Sequence, residues 1–280
     1  MRLAIRHVTT YRYTPEVQSL ALRLRLFPVE TVQQRLVSWS VTVNGDAVGP
    51  LFRDALGEGE GLWFARRRGE VAEIVVEGAV ETSDHTGVLG QFGRARPGVY
   101  LRDTDLTAPG EAVAAIAAEV EGDTPLARMH ALNEAIQTGL DYRPGVTDAA
   151  TTAEQAAALG AGVCQDFAHV FVAAARSMAI PARYVVGYLH DAEAPEAASH
   201  AWAEVHLQGL GWVGFDPVHE VCPAAHHVRL ATGFDAADAA PIRGTHEPGV
   251  EEEMAVEVTI GPAGQSQKQG QGQSQGQSQG

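Results

Sequence analysis

Cysteine is scarce: Cys164 and Cys222 are the only two in 280 residues. Two thiols cannot build a disulfide framework, so a reduced, cytoplasmic setting is the default expectation. Lysine is scarcer still, with Lys268 alone. No run approaches the ~20 apolar residues that span a bilayer. The first 28 residues are broken by Arg2, Arg6, Arg12, Arg23 and Arg25, so neither a secretory leader nor membrane insertion is expected. Cations are also missing where a phosphate-binding surface would need them. Residues 1–106 carry 13 Arg against 13 Asp or Glu, whereas residues 107–280 carry 7 Arg or Lys against 22 acids. That second half holds the whole net charge of −15. Nucleic acid is therefore excluded as a partner.

What is present is a globular composition, 45% hydrophobic and 20% charged, with patterns that change along the chain. Residues 1–82 read as short strands. Val8 to Tyr13 is β-branched and aromatic, Leu20, Leu22, Leu24 and Leu26 alternate with Ala21, Arg23 and Arg25, and Val37 to Val43 ends at an Asn44-Gly45 turn. Val71 to Val80 supplies another strand, and together these predict an antiparallel β-sandwich. Residues 83–106, glycine-rich and without period, read as a connection. Helical spacing follows. Thr124-Pro125 opens one helix, Thr151 with Glu154 as a capping box opens a second that stops at Gly160, and a third runs from Cys164 to before Pro181. Strands return over Arg183 to Leu189, His200 to Leu207 and Trp212 to Phe215. The fold class is therefore α+β, with a β-rich domain over 1–106, a core over 107–262, and a disordered Gln/Gly/Ser tail over 263–280.

The candidate chemistry sits at Gly162-Val163-Cys164-Gln165-Asp166-Phe167-Ala168-His169. Val170, Phe171, Ala174 and Met178 continue from Phe167 at helical spacing, one buried face, which places Cys164 in the first turn. Unpaired N–H groups and the helix dipole there favour a thiolate. A small buried hydrophobe is the other reading of a lone cysteine. A nucleophilic thiol needs a base, and the base needs an acceptor. His200 opens one strand and Asp216 closes the next, and they share a sheet face with a three-residue turn ending at Gly209 or at Gly211. Only the Gly209 register sets them directly opposite. His219, Cys222, His226 and His227 offer zinc-type ligands, but their spacing matches no structural zinc pattern, and neither metal nor cofactor is expected.

The segment from Gly162 to His169, then Ile180-Pro181-Ala182-Arg183-Tyr184-Val185-Val186-Gly187-Tyr188-Leu189, His200-Ala201-Trp202 and Gly211-Trp212-Val213-Gly214-Phe215-Asp216-Pro217, resembles the bacterial transglutaminase-like family. His7 to Tyr13 and Leu22 to Pro28 are similar to that family's β-rich N-terminal domain. The resemblance implies a papain-like core with Cys164 as nucleophile, His200 as base then acid, and Asp216 orienting the imidazole. The Cys164 N–H would meet the oxyanion, with Gln155 the candidate second donor only by analogy. It implies a peptide or protein substrate, with Trp202 and Gln165 beside it. Asp166 is expected to cap its own helix, and His169 to serve the scaffold. The reaction class is acyl transfer through a thioester, resolved by water in a peptidase or amidase, or by an amine in a transglutaminase. A scaffold that kept the fold without activity is the third reading. The chain departs from the family at Gly233-Phe234-Asp235-Ala236, at Asp216-Pro217-Val218-His219 and around Leu56-Gly57-Glu58, while His227 falls where the family often has a histidine.

Overall fold

The computed structural model describes residues 1–65, 69–193 and 199–264, with the backbone of 277–278. The tail expected to be disordered lies, but for its first and those two residues, outside the described residues. The sandwich is organised on the strand Arg2–Val17, which pairs antiparallel with Gly69–Thr82 on one side and Glu251–Pro262 on the other. In the second sheet Leu20–Phe27 lies between Gly59–Phe64 and Ile242–His246. The alternation of Leu20, Leu22, Leu24 and Leu26 buries all four against Leu3, Ile5, Ile74 and Val80 of the first sheet. Arg25 points to the opposite face, where its Nε lies 2.8 Å from buried Glu60.

The core is a five-stranded antiparallel sheet in the order His227–Gly233, Ala182–Leu189, Ser199–Leu207, Gly211–Phe215 and Val88–Gly90. The helix Cys164–Ser177 lies between this sheet and the helices Glu111–Glu119, Pro125–Gly139 and Ala153–Leu159. Its apolar spacing predicts one buried face, yet every residue from Asp166 to Arg176 is buried, because both sides are covered. Ala168, Ala173, Ala174 and Ala175 let neighbours approach closely. Arg176 ends the helix with its guanidinium on the carbonyls of Tyr100, Ala182 and Phe234 and on Thr107 Oγ1.

Thr124 caps its helix as the sequence predicts, its Oγ1 accepting from the Ala127 N–H at 3.1 Å. The next cap is Thr152 with Gln155, one residue later than Thr151 with Glu154. Glu154 instead accepts the N–H groups of Gly110, Ala112 and Val113, capping the neighbouring helix, a contact invisible to local spacing. Two further differences concern extent. Ile242–His246 and Glu251–Pro262, from the stretch assigned to the core, complete the sandwich sheets, and Val88–Gly90, from the expected connection, joins the core sheet. The acidic start Glu251-Glu252-Glu253 obscures a strand whose partner lies some 240 positions away in sequence, at Arg12 to Thr14.

Sandwich and core are joined by buried polar contacts. Gln34 exchanges two hydrogen bonds with the Arg229 backbone, at 2.8 and 2.9 Å, and Gln33 Nε2 donates to Pro223 O at 2.7 Å. Thr82 Oγ1 donates to Ala225 O at 2.6 Å. The Arg229 guanidinium bridges Glu58 of the sandwich at 2.9 Å and Glu204 of the core at 3.1 Å, all three buried. Removing one partner of such a group leaves uncompensated buried charge. Arg229→Met is expected to lower stability by about 3–5 kcal/mol in urea unfolding; a variant as stable as the parent would show that the network contributes little.

Candidate active site

The entry to the Cys164 helix is pinned by backbone and side chain together. Ala161–Gly162 runs parallel to Asp141–Tyr142, and Gly160 before it takes φ 64°, which favours glycine. A Cβ on Gly162 would lie 2.5 Å from the Asp166 carboxylate, so glycine is required. Asp166 Oδ2 accepts the Val163 N–H at 2.8 Å and the Thr147 hydroxyl at 2.7 Å. It is a helix cap, the role expected of it, and burial raises its pKa against these bonds. Cys164 is partly exposed beyond this cap. Among the described residues, no acceptor takes the N–H of Cys164 or Gln165, as the first turn of a helix dictates.

Neither predicted hairpin register is adopted. Leu207 pairs with Gly211 and Ala203 with Phe215, so the turn is Gln208-Gly209-Leu210, with Gly209 at φ 87° and Gly211 at φ 80°. Asp216 therefore lies diagonal to His200 on the same face, two positions from direct opposition. Diagonal neighbours across a ladder are within reach of long side chains. His200 Nε2 lies 2.7 Å from Asp216 Oδ2. That contact leaves Nδ1 on the other side of the ring, and Cys164 is close enough to His200 to raise its pKa. A thiol, an imidazole and a carboxylate are thus brought together from three elements.

Asp216 is fully buried, and two further imidazoles reach the same Oδ2: His219 Nδ1 at 2.8 Å and His227 Nε2 at 3.1 Å. Oδ1 accepts the Val218 N–H at 3.1 Å. Burial opposes the charge of Asp216, but these donors outweigh it and hold the carboxyl well below its usual range. His227 has its pKa lowered by burial, and its Nδ1 accepts the Ala224 N–H at 3.3 Å. Its proton is therefore on Nε2, directed at Asp216. For His200, burial is again the largest effect and lowers the pKa. The bonds to Asp216 and Cys164 and their charges overcome it and push the imidazole up to about 10.

The other expected residues fall as follows. Gln165 is partly exposed beside Cys164. Trp202, expected to touch substrate, is only 2% exposed. Its ring stacks on His200 at 6.1 Å and meets His227 edge-on at 5.4 Å, so it is the wall behind the imidazoles. Gln155, the analogical second oxyanion donor, spends its Oε1 on the Thr152 N–H at 2.9 Å. His169 is fully buried, its pKa lowered to about 4 by burial, and its Nε2 accepts the Ala236 N–H at 3.0 Å. The four zinc-type residues do not converge as a set. His219 and His227 turn to Asp216, His226 stacks near His190, and Cys222 packs on Gly87. Among the described residues, the group with metal-compatible spacing is His200, Asp216 and His219, within 4.8 Å of one another, and Asp216 Oδ2 there is already engaged by hydrogen bonds. Sequence reasoning missed His219 and His227 as supports of Asp216. The available signal was the five histidines within sixteen residues of one strand-end aspartate, of which His200, His219 and His227 reach it.

Comparison with known proteins bears on the family and the fold. Residues 114–217 match the transglutaminase-like superfamily model, and residues 3–81 match the bacterial transglutaminase-like N-terminal region. An uncharacterized protein of Mycobacterium leprae is 40% identical over 113 residues, 38% of this chain and 40% of that protein. The chain thus matches well under half the length of that relative. An uncharacterized protein of Mycobacterium tuberculosis is 27% identical over 277 residues, 87% of each chain. A Cytophaga hutchinsonii crystal structure, provisionally described as a cysteine protease, shares the fold with a TM-score of 0.71 at 23% identity, covering 93% of this chain and 90% of that one. The thiol, imidazole and carboxylate therefore stand on a scaffold used for thiol-based acyl transfer, and the chain belongs to the transglutaminase-like superfamily, with the bacterial N-terminal region attached.

Proposed function

We propose that the protein is a thiol-dependent amide hydrolase, a peptidase or amidase acting on peptide or isopeptide bonds of a peptide or protein substrate. The observation that carries this is the gathering of Cys164, His200 and Asp216, with His200 Nε2 2.7 Å from Asp216 Oδ2 and Cys164 near enough to raise the pKa of the same ring. With its pKa pushed up to about 10, His200 already holds its proton at neutral pH, so Sγ adds to the carbonyl carbon as the thiolate of an ion pair with the imidazolium. The tetrahedral adduct collapses, the C–N bond breaks, and the imidazolium returns its proton to the leaving amine. A thioester on Cys164 remains. Water then attacks it while His200 accepts a proton, and the acid leaves as the thiol is restored. Asp216 holds the imidazole tautomer and its charge throughout.

An amine in place of water would make the same acyl-enzyme a transglutaminase. The departures at Val218-His219 and Phe234 to Ala236 fall beside the array, where acceptor choice would be made. Cys164→Ala is expected to abolish turnover of a peptide-amide library and the acyl adduct seen by intact mass. Turnover surviving that change would sink the proposal. Adding a labelled primary amine to the parent enzyme distinguishes the acceptors, since hydrolysis leaves the acid product unlabelled.

The pKa of His200 gives a second expectation. Its folded value, about 10, lies above the ordinary 6.5, so folding favours the protonated ring. That contribution is complete below the ordinary value and is lost as pH rises through about 10. The difference in urea midpoint between the parent and His200→Gln should therefore shrink as pH is raised across this window. A pH-independent difference would contradict it.

A further inference from the structure

Addition of a thiolate to a carbonyl places negative charge on oxygen, and two donors normally meet it. The Cys164 N–H supplies one. Resting on the reading of Cys164 as an acyl-transfer nucleophile, we propose that the phenol hydroxyl of Tyr142 is the second donor, a catalytic residue of the oxyanion site.

Tyr142 is held beside the nucleophile by backbone on both sides. It stands opposite Gly162, two residues before Cys164, in the parallel pair of Asp141–Tyr142 with Ala161–Gly162. The Asp141 N–H donates to Gly160 O at 2.9 Å and the Arg143 N–H to Gly162 O at 2.8 Å, so the register cannot slip without breaking both. Its ring lies 6.3 Å from that of Phe167, three residues into the nucleophile helix, which keeps the side chain at the helix end. The residue is 51% exposed, and among the described residues its hydroxyl has no hydrogen-bond partner. Partial burial, and then the charge of Cys164, push the phenol above its ordinary value, so it keeps its proton for donation.

Tyr184 is the other phenol that senses Cys164. It is 4% exposed, packed among Ala168, Ala201 and Ala239 with its ring against His169 at 5.1 Å. A substrate carbonyl has no path to it, whereas Tyr142 lies open.

Two reactions of the same thiol separate this role from a structural one. Acylation of Cys164 by p-nitrophenyl acetate passes through an oxyanion, and alkylation by iodoacetamide does not. Both are followed in the full-length protein by adduct mass on the Cys164 peptide, for the parent, Tyr142→Phe and Tyr184→Phe. Tyr142→Phe keeps the ring on Phe167 and loses no existing hydrogen bond. Single-turnover acylation is expected to slow by roughly 10²-fold in that variant, in the range seen for removal of one oxyanion donor, with alkylation unchanged. Equal acylation in Tyr142→Phe and the parent overturns the assignment, as does a parallel fall in both reactions. A loss confined to Tyr184→Phe also overturns it. Failure of the underlying reading looks different: Cys164→Ala would then release p-nitrophenol as fast as the parent.

Discussion

A carboxylate with no exposure is tolerated only when its oxygens are met by donors, and Asp216 is met on both. Oδ1 takes a backbone N–H, and Oδ2 takes three imidazoles from three places in the chain. This convergence holds the candidate site together. It keeps Asp216 charged, fixes His227 as its Nε2–H tautomer, and raises the basicity of His200 against the cost of burial. Trp202 seals the imidazoles from behind, so the local dielectric stays low and each of these bonds gains strength.

The sandwich takes part in this arrangement. His227 opens the strand His227–Gly233, and the segment around it is held by Gln33, Gln34 and Thr82 from the sandwich. Glu58 extends the same hold through Arg229 to Glu204, on the strand that also carries His200. His7 adds a further link, its Nδ1 lying 2.9 Å from the Tyr188 hydroxyl. The N-terminal region therefore helps to position residues that hold the carboxylate.

On the other side of the thiol the constraint is steric. Gly162 leaves room for the Asp166 carboxylate, Asp166 fixes the Val163 amide, and the helix then begins at Cys164 with its first N–H groups free. Burial of every helix residue from Asp166 to Arg176 makes this a rigid mount. Cys164, His200 and Asp216 come from a helix start and two strand ends, which the core holds in fixed register.

Much of this was legible in the chain. The 2-residue and 3.6-residue periods separate sandwich strands from core helices, Thr124-Pro125 marks a helix start, and the order Cys164, His200, Asp216 names the candidate groups. Those signals are local, and local patterns are set by covalent spacing and by which faces must be buried. The hairpin register was not legible, because Gly209 and Gly211 each suit the end of a turn, yet the turn ends at Leu210 with both glycines at positive φ. The return of Ile242–His246 and Glu251–Pro262 to the sandwich, the transfer of Glu154 to another helix, and the gathering of His219 and His227 on one oxygen all depend on partners distant in sequence. The sequence by itself determined the fold class and named the candidate groups. The tertiary structure alone decided how they are supported, because hydrogen bonds to a buried charge are chosen by which donors burial brings within 3 Å or so, and spacing along the chain carries no record of that.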